Sequence, residues 1–394
     1  MEGLRILLVH NYYRIRGGED SVFENEKKLL LDGGHTVFTY EKHNENAGKG
    51  LFGKLRLPFT MIFSHSTYRE VCRIIKRERI DIVHVHNTLS LISPSVFRAA
   101  KKMGVPVVQT IHNFRMLCPA ATLYRDGEIC EDCVTCGLSP SIRHRCYRGS
   151  KLQSLLLATV LRLHRKIGSF RHVHFICLTE FNREMLLRLN GKKEIVDPDK
   201  IYIKPNFASV TASPPIPFEE RGRTFLYAGR LDEIKGIFVL LSAFTNLPQD
   251  YRLLIAGTGP EEDACRAFIE THGLAGQVEM LGQKTADEVR ALMASARATV
   301  LPTLWYEGFP MTIAESLSVG TPVIVSDLGN AGAIIQEGIT GLHFPVGDAD
   351  ALASCIEGLP DLTASCRDYY ETHLAPTANL EMLTEIYKDM IKEK

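Results

Sequence analysis

Two doubly wound α/β domains are what the sequence predicts, on three observations. Short apolar runs alternate with amphipathic stretches along the whole chain. A proline-rich segment interrupts the alternation near its middle. The charge changes sign across that segment. In the first half the apolar runs are Arg5–His10, Thr36–Tyr40, Ile82–His86, Val105–Ile111, Phe175–Leu178 and Ile201–Lys204. They read as buried parallel strands. Helical patterns over Ser21–Asp32, Thr67–Glu78, Pro94–Met103 and Leu152–Ile167 fall between them. In the second half the strands are expected at Phe225–Ala228, Arg252–Ala256, Val278–Leu281, Thr299–Pro302, Val323–Ser326 and Leu342–Phe344.

The break between the halves is 205–217, P-N-F-A-S-V-T-A-S-P-P-I-P, which reads as a stiff, extended linker. The expected organisation is therefore a domain over 1–208 with a cysteine-rich insert at 114–150 and a second domain over 209–375. A final helix, 376–394, is expected to pack back on the first domain. Two such sheets facing each other would leave a cleft at their carboxyl ends.

The 394 residues are 45% hydrophobic and 23% charged, the composition of a globular protein rather than a disordered or collagen-like one. No apolar run approaches the ~18 residues of a membrane span. The opening M-E-G-L-R-I-L-L-V-H lacks the basic start and long apolar stretch of a secretory signal, so a cytoplasmic location with reduced thiols is expected. The formal net charge of zero conceals a split. Residues 1–208 carry 33 Lys and Arg against 20 Asp and Glu, and residues 209–394 carry 13 against 26. A basic first half suits an anionic partner surface, although attraction between the halves explains the split as well.

Four segments carry candidate chemistry. In W-Y-E-G-F-P-M-T-I-A-E, Glu307 lies in a loop and Glu315 on the helix that opens near Met311. Backbone N–H groups of Gly308, Phe309, Met311 and Thr312 fall near that helix N-terminus, where phosphate oxygens or sugar hydroxyls bind well. A carboxylate can accept both hydroxyls of a vicinal diol. In F-L-Y-A-G-R-L-D-E-I-K-G, Arg230 sits at a strand end and Lys235 at the next helix start, a pair able to neutralise a diphosphate. I-A-G-T-G-P-E ends another strand in a glycine turn. Gly17 and Gly18 precede the first helix, where backbone can approach a ligand closely.

Together these segments resemble the donor site of family 4 glycosyltransferases, retaining enzymes of GT-B fold. Glu307 and Glu315 stand in that family's E-x7-E spacing. The resemblance extends to Gly17–Gly18, I-H-N at 111–113, P-N at 205–206, A-G-R at 228–230, G-T-G-P at 257–260 and V-G-T-P-V-I at 319–324. It implies that Arg230 and Lys235 bind the donor diphosphate and that Glu315 holds the ribose hydroxyls. Glu307 and the backbone of Phe309–Met311 would contact the transferred sugar. Gly18 would approach the diphosphate, His112 would face the reacting sugar, and Gly282 would lie beside the nucleobase. Pro310 stands where many relatives have glycine and removes one N–H donor.

The expected reaction moves a hexose-type sugar from a UDP- or GDP-sugar to a saccharide or lipid-diphosphate-linked saccharide, as in polysaccharide biosynthesis, with no divalent metal required. A sugar-nucleotide epimerase and a donor-binding protein without activity are the alternatives.

Five of the ten cysteines fall within 118–146. In a reduced compartment Cys118, Cys130, Cys133 and Cys146 could close a tetrahedral zinc site, with Cys136 as an alternate. Labile thiols or disulfides and an iron–sulfur cluster stay open beside zinc. From Val134 to Thr179 there is no acidic residue, and Lys49–Ile62 is likewise basic and apolar. Such segments suit the anionic inner face of a plasma membrane, although Leu152–Ile167 reads equally as a core-packed helix with a basic outer face. Nucleic acid is not expected, because the aromatic platforms that accompany basic strips on such proteins are missing.

Overall fold

The computed structural model describes residues 3–14, 17–46, 57–191, 193–209 and 215–393. Most of the basic stretch Lys49–Ile62 and the middle of the 205–217 segment lie outside them. The chain forms two units, each built on its own six-stranded sheet.

In the first unit the strands are β1 (Arg5–Tyr12), β2 (Thr36–His43), β3 (Ile82–Val85), β4 (Val107–Ile111), β7 (His174–Cys177) and β8 (Ile201–Ile203). β5 (Tyr124–Arg125) and β6 (Glu128–Ile129) form a separate antiparallel hairpin. The sheet order is β2-β1-β3-β4-β7-β8, with every pairing parallel. Both faces are covered, which is why Ile6–Val9 and Ile82–Val85 are buried without alternation. Helices start where short polar side chains reach back to backbone N–H groups: Ser64 to Thr67, Ser150 to Gln153 and Thr179 to Asn182.

The second unit orders β9 (Thr224–Ala228), β10 (Arg252–Ala256), β11 (Val278–Gly282), β12 (Ala298–Leu301), β13 (Val323–Ser326) and β14 (Gly341–Phe344) as β11-β10-β9-β12-β13-β14. This is the doubly wound Rossmann order, reversing between β9 and β12. Its core packs Phe225, Tyr227, Leu240, Phe244, Leu253, Ile255, Val300 and Ile324.

The unit boundaries differ from the sequence expectation in three ways. The second unit begins at Pro205, not at 209, and it includes the Tyr124–Ile129 hairpin from within the insert. The described start of the proline-rich segment is packed rather than free. Ala208 N–H donates to Leu374 O, and the Ala208 carbonyl accepts from the Tyr370 hydroxyl at 2.7 Å. The last helix, Pro376–Lys392, divides between the units at Leu380. Beyond that point Leu383, Ile386, Tyr387 and Met390 join Ile6, Leu8, Phe23 and Ile82 in the first unit's core.

Candidate active site

In an open parallel sheet, ligands bind where the strand order reverses, outside the carboxyl ends of the strands. In the second unit that point lies between β9 and β12. Arg230 and Lys235 follow β9, and Thr303, Glu307 and the Met311–Ser318 helix follow β12.

The Lys235 ammonium donates to Glu307 Oε1 at 2.6 Å and stands 5.6 Å from the centre of the Trp305 ring. Glu307 is buried, and Thr303 Oγ1 donates to the same carboxylate oxygen at 3.3 Å. An ionised carboxylate out of water needs such partners. Asn330 Nδ2 donates to the carbonyls of Glu307 at 2.5 Å and Gly308 at 2.7 Å, fixing the loop that carries the first glutamate. Pro310 caps the Met311–Ser318 helix, and Ile313 N–H donates to its carbonyl at 3.0 Å. Phe309 and Met311 turn inward, against the cluster of Leu301, Ile313 and Leu317.

Close approach of three loops depends on glycine, most tightly at Gly236 and Gly257. A Cβ on Gly236, whose φ is +69°, would stand 1.7 Å from the Pro302 carbonyl oxygen. One on Gly257 would stand 1.8 Å from the Gly229 oxygen. The result is a cavity lined by Gly229, Arg230, Gly257, Thr258, Thr312 and Glu315. Burial raises the Glu315 carboxyl above its usual range, against an opposing pull from Arg290. Arg230 is 65% exposed and ion-paired with Asp232, so its guanidinium can turn toward a ligand. Gly282 ends β11 and its carbonyl accepts from Gly257 N–H at 2.8 Å.

The first unit reverses its order at β1 and β3, and its polar groups gather there. Gly17 caps the Gly18–Asp32 helix, its N–H donating to Asp20 Oδ2 at 3.0 Å; a Cβ on Gly17 or Gly18 would meet nothing within 4 Å. His112 follows β4 and lines a cavity with Glu19, His86, Gln109, Asn113 and apolar Leu157. Burial pushes the Glu19 carboxyl up to about 8, although hydrogen bonds from Tyr13 and Asn113 oppose it.

Behind this wall lies a set of polar side chains that the sequence reading missed. Glu26, His84, His86 and Lys204 are all buried, within the first unit. Glu26 accepts from Lys204 at 3.2 Å through one oxygen, and its other oxygen lies 3.1 Å from both His84 Nδ1 and His86 Nε2. Burial lowers the imidazole pKa of His84 to about 3 and of His10 to about 4, and holds that of His112 well below its ordinary value. The signal available was H-V-H at 84–86: two histidines at alternate positions, one in the otherwise apolar and buried β3 and one just after it.

The insert brings Cys118 and Cys133 together. Cys118 is held below the ordinary thiol range by its bond with Cys133 and by backbone N–H groups of Ala120, Ala121 and Leu123, while Cys133 is pushed above it. Cys136 is exposed, and Cys130 and Cys146 are half-buried. The four sulfurs expected as a zinc set are not gathered. Among the described residues, the cluster of three or more ligand atoms within 4.8 Å of one another is Glu26, His84 and His86. The Lys151–Lys166 helix buries Leu157, Ala158 and Val160 and leaves Leu152 and Leu155 exposed. Among the described residues no helix is long and apolar enough to cross a membrane.

Comparison with known proteins reaches both units. The profile for Glycosyltransferase Family 4 matches residues 34–211, and that for Glycosyl transferases group 1 matches residues 211–372. The chain is 27% identical over 374 residues to a phosphatidyl-myo-inositol mannosyltransferase of Mycolicibacterium smegmatis, covering 90% of this chain and 84% of the relative. It is 22% identical to the UDP-Gal:alpha-D-GlcNAc-diphosphoundecaprenol alpha-1,3-galactosyltransferase of Escherichia coli, covering 82% and 79%. Among solved structures, the apo form of the lipopolysaccharide outer core galactosyltransferase WaaB superposes with a TM-score of 0.68 at 17% identity, covering 98% of this chain and 99% of that one.

Proposed function

Because the chain belongs to glycosyltransferase family 4 and has the two Rossmann-like sheets of a GT-B enzyme, we propose that its second unit binds a nucleotide-diphosphate sugar for retaining transfer of a hexose to a saccharide or lipid-linked acceptor. The observation that carries this reading is the arrangement at the β9–β12 reversal. Arg230 and Glu315 line one glycine-walled cavity there, and Lys235 pairs with Glu307 on the loops that follow the same two strands.

Each group has a task that its chemistry suits. Glu315 accepts a pair of ribose hydroxyls from the cavity wall. Arg230 and Lys235 take the diphosphate, so the site itself supplies the positive charge and no divalent cation is needed. Lys235 has three N–H donors and can keep Glu307 while holding a phosphate oxygen. Glu307 then meets the hydroxyls of the sugar. As the bond from the anomeric carbon to the diphosphate breaks, the acceptor oxygen bonds to that carbon from the same face. Its proton passes to the departing diphosphate, which leaves no need for a carboxylate nucleophile.

A thermal-shift panel of UDP- and GDP-sugars on the wild type and on Glu315→Ala tests this. One donor is expected to raise the melting temperature of the wild type by several degrees, with the shift lost in the variant. A wild type that responds to no member of the panel would overturn the reading.

We propose structural zinc in the insert as a separate reading: the Cys118–Cys133 contact supplies two of its four ligands, and Cys130 and Cys146 would have to move to complete the set. Metal analysis of the purified protein is expected to give one zinc per chain, absent in Cys133→Ser. A metal-free wild type with intact stability would remove the proposal.

A further inference from the structure

A chain of contacts runs from the buried Lys204 to the half-buried His112. Lys204 Nζ donates to Glu26 Oε2 at 3.2 Å. Glu26 Oε1 lies 3.1 Å from His86 Nε2, and His86 Nδ1 lies 3.0 Å from His112 Nε2. The rings of His86 and His112 are nearly parallel, at 16°, with centres 5.2 Å apart. Glu26 comes from the Gly18–Asp32 helix, His86 follows β3, His112 follows β4 and Lys204 follows β8.

The trio of Glu26, His84 and His86 has the spacing of a metal site, but its donors are already committed. The Lys204 ammonium occupies the cation position beside the carboxylate. His84 is held at both nitrogens, Nδ1 by the Tyr387 hydroxyl at 2.6 Å and Nε2 by Thr110 Oγ1 at 2.7 Å.

The charges set the direction of the hydrogen bonds. Glu26 and Lys204 cancel, so a further proton on His86 would leave a net positive charge in a site closed to water. With a single hydrogen on the His86 ring, the directions follow. Its Nε2 carries the hydrogen, because Glu26 can only accept. Its Nδ1 must then be the acceptor, and the hydrogen between the two rings belongs to His112 Nε2.

We propose that Glu26, acting through His86, is a positioning residue that locks His112 in the Nε2–H tautomer. Its Nδ1 lone pair is thereby the group that His112 offers to a substrate hydroxyl at the cavity wall. His112 thus accepts a hydrogen bond from the substrate and donates none to it. The tautomer stands on the contacts and charges within the first unit; its consequence for a sugar hydroxyl rests on the transferase reading.

The geometry also fixes what Glu26→Gln does. Lys204 has only donors, so it draws the amide oxygen to the Oε2 position, and the amide NH2 faces the histidines. His86 Nε2 becomes an acceptor, its Nδ1 carries the hydrogen, and His112 is turned to the Nδ1–H form.

Long-range 1H–15N correlation on 15N-histidine-labelled full-length protein reads the tautomer directly, without substrate. His112 in the wild type is expected as Nε2–H and in Glu26→Gln as Nδ1–H. With the donor found in the thermal-shift panel, kcat/KM of the variant is expected to fall roughly tenfold, the worth of one hydrogen bond, while the thermal shift by donor at Glu315 persists. A wild-type His112 in the Nδ1–H form, or doubly protonated near neutral pH, would overturn the proposal even if Glu26→Gln does not fold. Failure of the donor panel with the Nε2–H tautomer present would strike the transferase reading and leave the lock standing.

Discussion

The two sheets present their polar groups in opposite ways. At the β9–β12 reversal the second unit holds its groups on loops, with Arg230 largely in water and the close approaches made by glycine backbone. At the β1–β3 reversal the first unit places an ion pair and three imidazoles inside, connected side chain to side chain. Arg230 can turn toward a ligand at small cost, because its charge is screened by water. The buried set has one arrangement that satisfies its donors and acceptors, and any change leaves a desolvated group unpaired.

The contrast should break most visibly at Glu26. Glu26→Ala strands the Lys204 ammonium inside the first unit and is expected to cost about 3–5 kcal/mol in urea unfolding. Adding Lys204→Met to that chain should recover part of the loss. A single-variant effect below about 1 kcal/mol would show that the set is not sealed from water.

Glycine offers the next comparison. Gly236→Ala places a Cβ against the Pro302 carbonyl in a left-handed backbone and should cost about 2–4 kcal/mol. Gly17→Ala meets open space and should change stability by less than about 0.5 kcal/mol. Equal effects on unfolding would erase the distinction between a packed loop site and an open helix start.

Acid separates the sheets more gently. His10 and His84 stay neutral in the fold down to about 4 and about 3, whereas the unfolded chain binds those protons near 6.5. Their folded values are depressed, so stability is lost as pH falls below 6.5. Glu19, raised to about 8, acts in the opposite sense over the same range and offsets one of them. His112 and His174, the latter also lowered to about 4, act with the first two, so the net expected loss between pH 6.5 and 5 is at least about 2 kcal/mol. A denaturation midpoint flat over that range would contradict a closed histidine set.

Why the sheets differed in legibility follows from the same contrast. The E-x7-E spacing, the glycine turns and the Arg230–Lys235 pair are contiguous, because a loop site is built from short stretches that follow strand ends. Thr303, Trp305 and Asn330 were passed over at that site because each acts by holding the loop rather than by showing a recognisable pattern. The cysteine spacing suggested four ligands, and the structure brings two sulfurs together; spacing limits which side chains can meet but not which way they turn.

The sequence by itself determined the strand–helix alternation, the existence of two sheets and the place of the loop motifs, because periodicity and glycine act over a few residues. Only the tertiary structure decided the unit boundaries and the assembly around Glu26. There His84 and Tyr387, 303 positions apart, share a hydrogen bond. A buried donor finds its acceptor through the packing of several elements, and no local pattern encodes that meeting.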